Sequence, residues 1–213
     1  MRYACYSKRP ASWRERETMT TEKTDDLPRI PVALRDGTTA ELRPITPDDR
    51  ALLKEGLRQM SEESRFARFG SGIASLREAE LRYLTDVDQI RHVAWGAVID
   101  EEPAGVGRYI LGDGPDAEIA IAVVDRFQRR GLGRILFDAL VASARASGVI
   151  GLSFSIEPWN RRVLRMLPGV EIELNETEDM LEGRIDVLAI PPGDREAEFA
   201  ALLDRYRRGS STT

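Results

Sequence analysis

The chain has 213 residues, of which 42% are hydrophobic and 31% charged, so its composition is that of a globular domain and excludes a disordered protein. A formal net charge of -5 excludes a generally basic nucleic-acid-binding surface, and we expect no nucleic-acid partner. The single histidine and single cysteine cannot supply a zinc site built from several such ligands, and we expect no metal.

The N-terminus and the apolar runs of the sequence indicate the cellular compartment of the protein. No run approaches the roughly 18 apolar residues of a membrane span, and the N-terminus lacks the apolar core of a signal peptide. We therefore predict a cytoplasmic protein without a membrane partner. Residues 1–28 are polar, which predicts a disordered leader with Met19 as an alternative start. Residues 29–213 show no linker-like break, which predicts one domain that includes a C-terminal helix.

The first half of this domain carries one strand pattern, three helix patterns and a hairpin pattern. Thr46-Pro47-Asp48-Asp49 is typical of a helix start, with an N-cap, an N1 proline and acids at the positive end. Ser75 and Glu78 have the spacing of a capping box. The predicted elements are a strand over Ala40–Arg43, helices starting at Thr46, Ser61 and Ser75, and strands over His92–Ile99 and Ala104–Ile110.

The second half alternates strands and helices, so we predict a mixed sheet of the α/β (α+β) class. Arg184 and Asp186 in the last strand indicate an edge or a partly exposed face. The predicted elements are strands over Glu118–Val124, Gly151–Ile156, Glu171–Leu174 and Leu181–Ile190, and helices over Gly131–Ser147, Arg161–Leu167 and Asp194–Arg208.

The segment from Val123 to Arg134 combines a strand end, two glycines, several arginines and the start of a long helix. Glycine lets the backbone approach a bulky anion, and free amides at a helix N-terminus point at it with the positive end of the dipole. This pattern favours pyrophosphate binding. Two other interpretations stay open: a dinucleotide fingerprint, incomplete because Leu136 replaces its third glycine, and an ordinary turn with solvated arginines.

Gln128-Arg129-Arg130-Gly131-Leu132-Gly133 resembles the Gln/Arg-x-x-Gly-x-Gly/Ala signature of the GNAT superfamily of N-acetyltransferases. The order of strands and helices from about Ala40 to Ile190 is similar too. Within that superfamily, Ser61–Phe69 and Ala117–Val123 resemble segments of the bacterial Pat-type protein lysine acetyltransferases.

The resemblance implies a GNAT fold, with a mixed, mostly antiparallel sheet of about six or seven strands flanked by helices. It implies acetyl-CoA as co-substrate and Glu118 as the general base that deprotonates the acceptor amine. The backbone amide near Val123 or Val124 would stabilise the oxyanion. The residues implied to bind acetyl-CoA are Val123, Val124, Gln128, Arg129, Arg130, Gly131, Leu132, Gly133, Arg134 and Asn160.

The acceptor implied by the resemblance is a lysine of a protein, such as an acyl-CoA synthetase. Two alternatives stay open: a small amine as acceptor, and a regulatory module that binds acetyl-CoA without using it. The second alternative arises because residues 161–170 lack the tyrosine that serves many relatives as general acid.

Several side chains have a structural interpretation beside the functional one. Glu118 could simply end a solvated turn, and Asn160 could cap the helix that follows it. Tyr109 is either the missing acid or a core residue. Arg65 and Arg68 either line the site or pair at the surface.

Overall fold

The computed structural model describes residues 28–69, 73–167 and 169–209, so all but the last residue of the predicted leader lies outside the described part. One eight-stranded sheet forms the centre, in the order β1-β2-β3-β4-β5-β6-β8-β7. The mostly antiparallel sheet is confirmed, and among the described strands β5 and β6 form the one parallel pair. The strands are β1 (Ile30–Ala33), β2 (Thr39–Pro44), β3 (His92–Ile99), β4 (Glu102–Leu111), β5 (Asp116–Val123), β6 (Gly151–Ile156), β7 (Glu173–Glu176) and β8 (Leu181–Asp186).

The strand count exceeds the predicted six or seven because the prediction left out β1. Its alternating pattern is present, with Ile30 and Val32 buried, but Pro31 interrupts it. Proline is tolerated here because β1 is an edge strand, where a missing N–H breaks no ladder. The last predicted strand is also shorter than expected, since β8 ends at Asp186 and a 3-10 turn follows.

The helices are α1 (Arg50–Gln59), α2 (Glu62–Phe69), α3 (Glu78–Thr85), α4 (Leu132–Ala146) and α5 (Glu196–Gly209). A 3-10 turn over Pro47–Asp49 precedes α1 at the predicted helix start. The predicted capping box at Ser75 is wrong: the N-cap of α3 is Arg77, whose backbone N–H donates to the Glu80 carboxylate at 2.7 Å. Residues Pro158–Met166 form a longer 3-10 segment where a short helix was predicted.

Helices cover both faces of the sheet. On one face, the indole N–H of Trp95 donates to Ser143 of α4 at 2.9 Å, and its ring packs edge-on against Phe199 of α5. On the other face, the Arg108 guanidinium of β4 donates to the carbonyl of Leu84 in α3 at 3.2 Å. None of the helices in the described ranges combines the length and apolarity needed to cross a bilayer.

Strand β8 is not the sheet edge that Arg184 and Asp186 suggested. It lies between β6 and β7, so β7 is the edge, while the prediction of a partly exposed face is confirmed. Arg184 is accommodated there because its Nε donates to Asp116 of β5 at 2.8 Å. This ion pair lies at the join between the two parallel strands.

Candidate active site

The parallel strands β5 and β6 separate part of the way along the sheet. They pair only from Asp116 to Glu118, opposite Gly151 to Ser153, although β5 continues to Val123 and β6 to Ile156. A cleft of about 1470 Å³ opens where the pairing ends, lined by both strands. A strand edge without a partner strand therefore faces a cavity inside the sheet, where an extended ligand could pair with it.

Glu118 lies at the closed end of this cleft, opposite Ile110 on β4 and Ser153 on β6. The pleat places it on the same face as Ala120 and Ala122, as predicted. Its side chain is half-buried. The carboxylate therefore lies in the cleft beside small side chains, and the structural interpretation as a solvated turn residue does not hold.

The backbone amides along β5 alternate between β4 and the cleft. The N–H of Val124, just beyond β5, donates to the carbonyl of Ala104 in β4 at 2.9 Å. Because successive N–H groups of a strand point to opposite sides, the N–H groups of Val123 and Ile121 point toward the cleft. Of the two predicted oxyanion donors, Val123 therefore has the suitable orientation and Val124 does not.

The glycine loop lies at the other end of β5. Gly131 has a φ of +95° and is the N-cap of α4, which therefore begins one residue later than predicted. Arg129 also has a left-handed backbone, with a φ of +62°. The amides of Leu132 and Gly133 occupy the first turn of α4, where the helix itself supplies no acceptors. Together they give the loop the N–H groups and positive dipole end of an anion site.

The turn between β1 and β2 supports this loop from behind. The N–H of Arg35 donates to the carbonyl of Arg130 at 2.9 Å, and the Arg130 guanidinium lies 3.0 Å from the Asp36 carboxylate. A Cβ at Gly131 would contact the Arg35 side chain at 3.4 Å. Arg130 is thus engaged in holding the loop rather than facing the cleft.

On the opposite side, α4 lies close to the 3-10 segment Pro158–Met166. A Cβ at Gly133 would lie 2.7 Å from the Met166 sulfur, so only glycine fits that approach without a shift. The Arg134 guanidinium donates to the Met166 carbonyl at 3.2 Å and to Asp138 at 2.8 Å. The 3-10 segment therefore forms a wall of the cleft against the glycine loop.

Asn160 belongs to this wall. It is buried, lines the cleft, and marks a kink in the segment with φ -90° and ψ 21°. The segment starts at Pro158 with Glu157 as its N-cap and consists of two helical pieces joined at Asn160, so the interpretation of Asn160 as the cap before Arg161 stays open. Its position suits a ligand contact.

Helix α2 forms another wall of the cleft. Phe66 and Arg68 line it, and the Arg68 guanidinium lies 4.9 Å from the centre of the Phe69 ring. Arg65 is half-buried and does not line the cleft. Tyr109 is fully buried on the α4 side of the sheet, where its hydroxyl lies 3.1 Å from that of Ser147. The core interpretation of Tyr109 is therefore correct, and it does not face the site.

Eight of the eleven predicted site residues line the cleft: Glu118, Val123, Gln128, Arg129, Gly131, Gly133, Arg134 and Asn160. Val124, Arg130 and Leu132 do not; the side chains of Val124 and Leu132 are buried in the core. Arg35, Ser64 and Met166 line the cleft but were not predicted. Ser64 belongs to the segment Ser61–Phe69 that carries the family resemblance, whereas no local sequence pattern marks Arg35 or Met166.

The described residues contain no group of three His, Cys, Asp or Glu side chains placed to hold a metal ion. The absence of a metal stays a prediction. The geometry of the loop does fit the pyrophosphate of a CoA molecule, because free helix-terminal amides, glycine conformations and arginines meet at one end of a long cleft.

A mixed sheet split at its parallel pair, with a glycine loop and a helix N-terminus beside the split, is the architecture that the acetyltransferase resemblance implied. The chain belongs to the acetyltransferase (GNAT) family, whose model matches residues 56–167. Both the predicted family and the predicted fold are thereby confirmed.

Two Pat proteins are similar to this chain. Acetyltransferase Pat of Mycolicibacterium smegmatis is 34% identical over 187 residues, covering 84% of this chain. The chain spans 54% of that relative's length. The crystal structure of the GNAT domain of S. lividans PAT has a TM-score of 0.70 and 28% identity, covering 74% of this chain and 96% of that domain.

The fold is also shared with a more distant acetyltransferase. AAC(6')-Ib, solved with paromomycin and acetyl-CoA, has a TM-score of 0.54 and 23% identity, covering 70% of this chain and 94% of its own. At this identity the likeness concerns the fold alone.

Proposed function

We propose that this chain is an acetyl-CoA-dependent N-acetyltransferase that modifies a lysine side chain of a protein, with Glu118 as general base. The observation that carries the proposal is the position of Glu118 at the closed end of the cleft that begins at the glycine loop. A ligand with its pyrophosphate on the loop and its arm along β5 would bring its far end to this carboxylate.

The reaction assigned to the site is a direct transfer. Glu118 accepts a proton from the lysine ammonium, and the freed nitrogen lone pair attacks the thioester carbonyl carbon. A C–N bond forms, the C–S bond breaks, and CoA leaves as a thiolate that takes up a proton from solvent. The second nitrogen proton and the proton held by Glu118 are then lost to solvent, so the products are an acetyl-lysine and CoA and Glu118 is again a carboxylate.

The tetrahedral intermediate of this reaction carries negative charge on its oxygen, which needs a hydrogen-bond donor. Of the predicted donors, we assign this role to the Val123 amide, because the Val124 amide already donates to Ala104. No tyrosine is needed as acid in this scheme, since a thiolate is a good leaving group. Tyr109 has no part in it, because its hydroxyl lies in the core.

Binding of acetyl-CoA is assigned to the glycine loop and the 3-10 wall. The amides of Leu132 and Gly133 would receive the pyrophosphate, Arg129 and Arg134 would add positive charge, and Asn160 would contact the arm. Membership of the acetyltransferase (GNAT) family, for which the sequence resemblance implied acetyl-CoA, supports this choice of co-substrate.

The acceptor class is the finer part of the proposal. The cleft of about 1470 Å³ holds both the space assigned to acetyl-CoA and, between α2 and β7–β8, further space for an acceptor. This favours an extended acceptor such as a protein segment carrying lysine, for instance on an acyl-CoA synthetase. Similarity to Pat points the same way. We further propose that residues 29–213 form the one domain and act in the cytoplasm.

The proposal is tested by measuring CoA release with an acetyl-CoA synthetase as acceptor, with mass spectrometry to locate acetyl-lysine. Glu118→Gln should lower turnover by roughly 100-fold or more, the usual contribution of a general base. Its affinity for acetyl-CoA should stay within about twofold of wild type, because the loop lies at the other end of β5. Glu171→Gln, at an exposed carboxylate outside the lining of the cleft, is the control and should keep wild-type turnover.

Equal losses of turnover and of acetyl-CoA affinity in Glu118→Gln would contradict the base assignment. Turnover with a polyamine or an aminoglycoside, without protein modification, would replace the protein acceptor by a small amine. Acetyl-CoA binding without turnover on either kind of acceptor would indicate the regulatory module.

A further inference from the structure

A chain of polar contacts, exposed at Ser61 and Asp125 and buried at Ser64, joins the glycine loop to helix α2. Asp125 is the first residue of the 3-10 turn that leads from β5 into the loop. Its carboxylate accepts hydrogen bonds from the backbone N–H of Ser61 at 2.8 Å and from the hydroxyls of Ser61 and Ser64 at 2.7 and 2.8 Å. One carboxylate thus binds the first turn of α2 at three points.

Gln128 completes the connection from within the loop. Its side-chain amide nitrogen donates to the Ser64 hydroxyl at 3.1 Å and to the Val123 carbonyl at 3.0 Å. Ser64 is 8% exposed and uses its hydroxyl in both directions, donating to Asp125 and accepting from Gln128. The contact of Gln128 with α2 therefore passes through this one buried oxygen, while Asp125 also holds Ser61 directly.

The charge state of Asp125 suits this role. Burial alone would raise the pKa of its carboxyl, but the hydrogen bonds from Ser61 and Ser64 outweigh it and hold the pKa below its ordinary value. The carboxylate remains ionised, and charge-assisted hydrogen bonds are stronger than neutral ones.

The position of helix α2 depends on its contacts with the rest of the domain. It has eight residues, too few to be stable alone, so its position depends on what it docks against. Its second half, with Phe66 and Arg68, lines the cleft. The contacts that hold its first turn thus determine where this wall of the cleft stands.

We propose that Ser64 and Asp125 are positioning residues that couple acetyl-CoA binding at the glycine loop to the docking of α2 as a wall of the acceptor site. The inference rests on the proposed function, because it takes the loop as the acetyl-CoA site. Neither side chain takes part in the chemistry. The ligand that fixes Gln128 also fixes α2, and by linkage an acceptor that binds α2 strengthens the binding of CoA.

The test measures amide hydrogen exchange of the full chain by mass spectrometry, with and without saturating CoA as the probe. In wild type, CoA should slow exchange at least fivefold both in the loop, residues 128–134, and in α2, residues 62–69. In Ser64→Ala, CoA should still slow exchange of the loop, while exchange of α2 should change less than twofold.

Asp125→Asn is the second variant, which keeps the shape of the side chain but removes its charge. It should also lose CoA-dependent protection of α2 while retaining that of the loop. Ser75→Ala removes an exposed hydroxyl next to α3 and should behave as wild type. Circular dichroism of each variant without CoA checks that it is folded.

The possible results distinguish a failure of the coupling between the loop and α2 from a failure of the proposed acetyl-CoA site. Equal CoA-dependent protection of α2 in wild type and Ser64→Ala would overturn the coupling, as would protection confined to the loop in wild type. Absence of protection in the wild-type loop would overturn the proposed acetyl-CoA site itself, and the coupling with it. A failure to find an acetylated acceptor would leave the exchange result standing.

Discussion

The Nε2 atom of His92 lies 3.1 Å from the guanidinium NH1 of Arg108, and both side chains are buried beneath α3. Arginine has no acceptor and stays charged, so the imidazole must be neutral at Nε2 to accept this hydrogen bond. Burial, and after it the charge of Arg108, hold the pKa of His92 well below its ordinary value. The one histidine of the chain is thus a structural acceptor rather than a catalytic base.

We predict that His92 stays neutral in the folded protein at pH values where a free histidine is half protonated. Because the chain has one histidine, its imidazole signals in an NMR pH titration need no assignment. The midpoint should lie well below 6.5. A midpoint at or above that value would contradict the neutral, buried state.

The same shift predicts how stability depends on pH. A histidine with a depressed folded-state pKa binds protons more readily when unfolded, so its contribution is complete above pH 6.5 and is lost as the pH falls toward the folded pKa. His92→Gln should flatten this part of the curve. Urea unfolding of both proteins between pH 5 and 8 checks it, and parallel curves would argue against the assignment.

Arg43 and Asp49 form a buried ion pair, with side chains 8% and 6% exposed and two hydrogen bonds of 2.7 and 2.6 Å. Arg43→Met should cost about 3–5 kcal/mol, because it leaves a buried carboxylate without its cation. Arg43→Met with Asp49→Asn should cost less than Arg43→Met alone. Arg58→Met, which removes an exposed partner of Glu55, is the control and should leave the unfolding midpoint unchanged.

Gly133 tests the close approach between α4 and the 3-10 wall. Gly133→Ala should change the free energy of unfolding by no more than about 1 kcal/mol, because the Met166 sulfur that its Cβ would meet belongs to a flexible side chain and alanine favours a helix over glycine. In a double-mutant cycle with Met166→Ala, the combined loss should be smaller than the sum of the two single losses. Gly114→Ala, where the added Cβ meets nothing within 4 Å, should be neutral.

Two variants of Arg129 distinguish the effect of its charge on ligand binding from the effect of its backbone conformation. Because its φ is +62°, Arg129→Gly should be about 1 kcal/mol more stable than Arg129→Ala. Both should weaken acetyl-CoA binding by a similar factor of roughly 10, the loss of one charge-assisted contact. Calorimetric titration with acetyl-CoA measures the affinity. A much larger loss in one of the two would mean that conformation, not charge, governs binding there.

Local sequence patterns were sufficient to predict those features of the fold and the site that are built from neighbouring residues. The period-two pattern of β5 predicted the face of Glu118, and the loop from Gln128 to Arg134 is contiguous in sequence. The predicted capping box at Ser75 is wrong because the helix starts two residues later, where the Arg77 N–H donates to the Glu80 carboxylate. The family resemblance supplied the functional roles, which composition and spacing alone left open.

The features of the site that the sequence did not predict depend on contacts between distant segments. Nothing near Met166 indicates that its sulfur limits the residue at position 133. Likewise, Ser64 and Asp125 are more than 60 positions apart, and no repeat or motif connects them. The Ser64 hydroxyl nevertheless donates to the Asp125 carboxylate at 2.8 Å. Such pairs follow from the way β5 carries the loop to α2 and cannot be found from either segment alone.

The split between β5 and β6 has a consequence for the behaviour of the empty protein. Unpaired strand edges attract other chains and are a recognised cause of aggregation. Here β5 and β6 each present such an edge toward the cleft, in the middle of the sheet and not at its rim. Walls from α2 and the 3-10 segment flank the opening, so a slender extended molecule can enter while the edge of another folded sheet cannot. Because the unpaired edges of β5 and β6 lie inside the cleft, they can pair with an extended ligand and are shielded from pairing with the strands of other protein molecules.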